Sequence, residues 1–78
     1  MSEKITSVQA VLEIMGIKGE TNVSLGKKIG KTSAAMWDRL NRDNLSVSTL
    51  VEMVTVMGYK VIVVPDDKPV RKGEYEVK

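Results

Sequence analysis

Neither cysteine nor histidine occurs among the 78 residues. Without cysteine the chain has no disulfide staple, no thiolate metal site and no thiol nucleophile, which fits a reducing compartment. Without histidine it lacks the commonest metal ligand and the commonest general base at neutral pH, so any catalysis would fall to carboxylate, lysine or hydroxyl groups. An enzyme, a metal site and a cofactor are therefore not expected. Asp66-Asp67 follow Pro65 and read as turn residues rather than a metal pair. Long apolar runs are missing too: nothing approaches a membrane span, and Met1 to Ile5 lack a basic segment leading into an apolar core. A cytoplasmic protein is expected.

What the chain does contain is enough for one small core. Hydrophobic residues make up 42% of it. A domain this short buries only about 60% of its unfolded surface, so a partner subunit is a plausible source of further stability. The net charge of +2 hides an uneven distribution. Between Ser24 and Arg42 stand Lys27, Lys28, Lys31, Arg39 and Arg42 against Asp38 alone, a local +4. A basic stretch of this kind suggests an element facing a polyanion, the plain alternative being a solvated helix face.

Glycines punctuate four helical segments. Ser7 is expected to cap a first helix whose stripe is Val8, Val11, Leu12 and Met15, ending before Gly16. A second runs from Asn22 to Ile29 with Gly30 just beyond its end, and a third from Ser33 to about Asn41. Ser46 is expected to cap a fourth, Val47 to Met57, with Leu50, Val51, Val54 and Met57 buried and Gly58 closing it. Met36, Met53 and Met57 read as core filler. From Tyr59 the run Lys60, Val61, Ile62, Val63, Val64 is β-branched and stops at Pro65, which predicts a strand with apolar residues on both faces. Glu74 to Lys78 alternates acidic and apolar residues like an edge strand, able to form a hairpin, pair with another chain or stay disordered.

The segment Asn22 to Asn41 satisfies the spacing of a helix-turn-helix. Its fifth position, where two helices cross closely, is Gly26; its ninth, where the chain turns sharply, is Gly30. Leu25, Ile29 and Met36 occupy the fourth, eighth and fifteenth positions, which point into the rest of the domain. Lys31 at the tenth and Arg39 at the eighteenth depart from the apolar preference there, and Leu40 can supply the second buried contact.

With Leu25 to Thr32, Leu40 to Leu45 and the Leu50 to Gly58 helix in this order, the chain resembles the lambda-repressor and Cro-like helix-turn-helix regulators carried by phages and bacterial mobile elements. The resemblance covers Asn22 to about Val64. It implies a mostly α fold: a four-helix DNA-binding domain over residues 1–58, then a C-terminal β-strand or hairpin over 59–78 that mediates dimerisation. It further implies that the third helix lies in the major groove. Thr32, Ser33, Ala34, Trp37, Asp38 and Asn41 would then face bases, while Asn22, Lys27, Lys31, Asn41 and Arg42 would hold phosphates. Trp37 could equally pack at the rim of the core.

One short helix reaches one half-site, so a homodimer is expected, joined through Tyr59, Val61, Ile62, Val63 and Val64. The function implied is a repressor occupying a pseudo-palindromic operator on double-stranded DNA. A second possibility is a protein-binding module that keeps the same scaffold, as an antitoxin or an inhibitor of a host defence protein would.

Overall fold

The computed structural model describes residues 4–77. Among them are four helices: α1 (Ser7–Lys18), α2 (Asn22–Ile29), α3 (Ser33–Leu40) and α4 (Val47–Thr55). The chain is mostly helical, a small all-α domain. No helix among the described residues is long and apolar enough to cross a membrane.

Every helix starts on a hydroxyl residue. Thr6, not Ser7, caps α1: the Gln9 N–H donates to Thr6 Oγ1 at 3.1 Å and the Thr6 N–H donates to Gln9 Oε1 at 2.9 Å. Ser7 was the expected cap, but it lies one residue inside the helix and has a different task. It is 2% exposed. Its hydroxyl accepts from the Leu45 N–H at 2.6 Å, and the Asn44 carboxamide oxygen accepts from the Ser7 N–H at 3.2 Å. These bonds tie the α3–α4 connection to the start of α1. Thr21, Thr32 and Ser46 cap α2, α3 and α4 through the N–H groups of Ser24, Ala35 and Thr49.

The first helix also passes through Gly16, where it was expected to stop, and ends two residues later at Lys18. Gly19, with φ 69°, provides the left-handed residue that closes it. The mid-helix glycine costs too little to break a helix whose inner face is covered.

The core gathers Val11, Ile14 and Met15 of α1, Leu25 of α2, Met36 of α3, and Leu50, Met53, Val54 and Met57 of α4 and the turn after it. All three expected core methionines are buried. Two stripe residues are not: Leu12 and Val51 are 47% and 39% exposed, and Ile14 and Met53 take their places. In both helices, neighbours converge on one narrow interior, which admits an arc offset from the one suggested by spacing alone.

The expected strand at Tyr59 to Val64 does not form among the described residues. A strand needs a neighbour for its backbone, and this run finds none among the described residues. Tyr59 turns inward against the core, whereas Val61, Ile62, Val63 and Val64 are 40%, 57%, 99% and 54% exposed. Nor, among the described residues, does a hairpin form with the last segment. That segment returns to the residues just before α1: Val77 makes a single parallel bridge with Ile5, and the Ile5 N–H donates to the Glu76 carbonyl at 3.0 Å. Tyr75 packs on the core nearby. Residues 60–74 thus form an excursion held at both ends by tyrosines. Lys78 lies outside the described residues.

Candidate nucleic-acid interface

α2 and α3 are joined by Gly30, Lys31 and Thr32. Gly30 has φ 73°, a left-handed turn that a residue with a β-carbon adopts only at a cost. The Lys31 N–H then donates to the Gly26 carbonyl at 2.7 Å, drawing the chain back across the end of α2. At Gly26 the crossing is as close as it can be: a β-carbon there would stand 2.7 Å from the Lys31 carbonyl oxygen and 3.0 Å from Met36 Cγ. Leu25 and Met36, both fully buried, clamp the pair from the core side.

This junction fixes which face of α3 turns outward. Met36 points in, and Ala35, Arg39 and Leu40 are half-buried. Ser33, Ala34, Trp37, Asp38 and Asn41 are exposed. Trp37 is 62% exposed, so it projects with the outward face instead of closing the core. Thr32 Oγ1 accepts from the Ala35 N–H at 3.1 Å as the cap of α3, which leaves its proton free to donate. Asn22 is half-buried at the start of α2, and Lys27, Lys31 and Arg42 are exposed.

The structure gathers Lys31, Asp38 and Arg42 about one recess and Asn22, Trp37 and Asn41 about another, while ion pairs change the electrostatics around them. Lys28 is ion-paired with Glu20. Arg39 bonds Glu52 of α4 at 2.8 Å, and Arg42 bonds Asp38 at 3.0 Å. Three of the five cations in the basic stretch are thus balanced by carboxylates of the same chain. The Lys28 and Ser24 hydrogen bonds hold the Glu20 carboxyl below the usual range. The Arg39 hydrogen bond does the same for Glu52. Lys27 and Lys31 have no ion-pair partner among the described residues. At Asp38, Arg42 bonds one carboxylate oxygen, Oδ2.

Two of these pairings left no mark in sequence, since Glu20 lies eight residues before Lys28 and Glu52 thirteen after Arg39. The Asp38–Arg42 pair, at the helical spacing of four, was there to be found. Also unforeseen are two recesses beside α3. One, of about 360 Å³, opens between Lys31, Asp38, Arg39 and Arg42 and the start of α4 at Ser46 and Thr49. The other, of about 180 Å³, lies between Leu12, Asn22, Trp37, Leu40 and Asn41.

The chain matches no family model, no curated protein and no solved structure.

Proposed function

We propose that this protein is a cytoplasmic, sequence-specific regulator that binds double-stranded DNA as a homodimer. In this reading it represses transcription from a pseudo-palindromic operator, and its four helices form a lambda-repressor or Cro-like domain of the kind found in phages and mobile elements. The observation that carries the reading is the junction at Gly26. The α2 backbone meets the Lys31 carbonyl so closely that only glycine fits, and this crossing leaves Ser33, Ala34, Trp37, Asp38 and Asn41 bare on a helix with no neighbour in front of it. A short helix locked against a second and presenting its far side uncovered suits insertion into a major groove.

The dimer follows from reach. At about 1.5 Å per residue, the eight residues of α3 span about 12 Å and can read one half-site. The excursion at Val61 to Val64 has no backbone partner and is apolar, so pairing with its copy supplies the missing strand neighbour and sets two α3 helices about one duplex turn apart.

Titrating a duplex at several salt concentrations tests the reading. The logarithm of affinity falls with the logarithm of salt by about 0.9 for each phosphate neutralised. Lys27 and Lys31 in two protomers give a slope of about −3.6. If Arg42 also leaves Asp38 for a phosphate, the slope becomes about −5.4. No binding to any duplex, or binding indifferent to salt, refutes it.

One observation favours the protein-binding alternative: Lys28, Arg39 and Arg42 are neutralised within the chain, which lowers the field a polyanion would feel. Capture of one protein partner without enrichment of DNA would support that reading over the first.

A further inference from the structure

Beside Trp37, the smaller recess is bounded by two leucines, an indole and two carboxamides, with no charged group in its wall. Trp37 and Asn41 stand one helical turn apart on the outward face of α3, so a partner lying along that face meets both. Leu12 reaches the same place from α1 and remains 47% exposed there. Among the described residues, the side chains of Asn22 and Asn41 make no hydrogen bond, leaving each amide donor and carbonyl acceptor available.

That combination discriminates among base pairs. Guanine offers two acceptors suited to an arginine or lysine, and cytosine a donor suited to a carboxylate; neither group lines the recess. The carboxylate nearest along α3, Asp38, lines the other recess, with Lys31, Arg39 and Arg42. Adenine offers an acceptor and a donor side by side, which a single carboxamide matches with two hydrogen bonds, and thymine offers a methyl group, which an apolar wall covers. We infer that this recess reads an A·T pair: the thymine methyl seats against Trp37 and Leu12, and the Asn41 carboxamide engages the adenine. This rests on the DNA-binding reading above and adds to it a specific base preference and the residues that impose it.

The test uses three duplexes of about 20 base pairs, long enough for two half-sites: alternating d(AT), alternating d(AU) and alternating d(GC). Trp37 is the one tryptophan of the chain, so its fluorescence reports occupancy of this site in the unaltered protein, while the anisotropy of a dye-labelled duplex reports binding by every variant. At fixed salt, d(AT) should bind about tenfold more tightly than d(GC), the lower end of what a good bidentate contact discriminates. Replacing thymine by uracil removes only the methyl and should weaken binding about fourfold, the worth of one buried methyl-sized group. The Trp37→Ala change should abolish the thymine–uracil difference, and Asn41→Ala should reduce the d(AT) preference. Both side chains are exposed, so unchanged thermal melting of the variants separates recognition from folding. Equal binding of d(AT) and d(AU) by the unaltered protein, or a difference that survives Trp37→Ala, overturns the inference. If all three duplexes then bind equally and with steep salt dependence, the DNA-binding reading stands without it; if none binds, both fall.

Discussion

Replacing Gly26 by alanine should destabilise the domain although it puts a better helix former into a helix. In the interior of α2 the propensity term alone favours alanine by about 1 kcal/mol. Against this stands the added β-carbon, 2.7 Å from the Lys31 carbonyl oxygen and 3.0 Å from Met36 Cγ. The Lys31 carbonyl cannot step aside cheaply, because the Lys31 N–H is bonded to Gly26 itself at 2.7 Å and the next residue, Thr32, caps α3. Met36 is fully buried in the core cluster, so it can move only against its core neighbours. The junction must therefore open by several tenths of an ångström, and overpacking of this kind costs about 1 to 3 kcal/mol. Set against the gain, this leaves a net loss of up to about 2 kcal/mol, or up to about 15 °C in melting temperature for a domain of this size. Gly16→Ala is the internal control. Gly16 is also mid-helix, but a β-carbon there meets nothing within 4 Å, so only the propensity term acts and the variant should gain about 0.5 to 1 kcal/mol. Thermal and urea unfolding followed by circular dichroism measure both. If Gly26→Ala equals or exceeds the unaltered protein in stability, the close crossing is not what holds α3 in place, and the argument for its outward face fails with it.

Ser7→Ala should cost about 1 to 3 kcal/mol in urea unfolding, since it strands the Leu45 N–H and frees the α3–α4 connection from α1. Acid should weaken the fold through Glu20 and Glu52: their carboxyls sit below the ordinary range when folded, so their contribution is complete above that range and is lost as pH falls through the folded values. Unfolding titrations should show Glu20→Gln and Glu52→Gln flattening the decline below about pH 4. Arg42→Ala should weaken duplex binding similarly across sequences and make the salt slope shallower by about 1 for each phosphate that Arg42 neutralises. Val63→Asp should leave melting of the monomer unchanged, because Val63 is 99% exposed, but should abolish the dimer in sedimentation; a persistent dimer would move the interface elsewhere.

How far this structure was legible in the sequence depended on the range of the interaction involved. The bounds of α2 and the closing glycine turn were readable because they are settled within a few residues: a left-handed glycine and apolar spacing agree, and the structure adds Thr21 as the cap. Gly26 was readable because a close helix crossing demands the smallest residue, whatever surrounds it. Ser7 was misjudged because a serine before an apolar run suits a cap, and only the folded chain reveals that Thr6 and Gln9 form the reciprocal pair while Asn44 and Leu45 claim Ser7. The stripes of α1 and α4 were off by one position each, since periodicity defines an arc but the neighbours decide where along that arc the core lies.

The two largest departures have a common physical cause, and it bears on function. A sequence sum treats charges as additive, yet a cation influences a distant polyanion only by what its own neighbours leave uncompensated. Glu20, Asp38 and Glu52 pair with three of the five basic side chains, and so the local +4 overstates the attraction. A β-branched run likewise promises a strand only if a neighbouring strand exists to accept it; Val61 to Val64 have the side chains and lack the neighbour. In the proposed dimer a second copy would supply a strand neighbour and would double the lysines of the basic stretch that lack an ion pair among the described residues from two to four. A phosphate can exchange with Asp38 for Arg42, because that pair is about two-thirds exposed on both sides and such pairs are worth little in water. Arg39 differs, since its side chain is only 22% exposed and its bond to Glu52 joins α3 to α4. Breaking that pair would loosen the helix that is meant to do the reading. In the proposed DNA complex, affinity gained from charge would therefore come through Lys27, Lys31 and Arg42, with Arg39 kept as a brace.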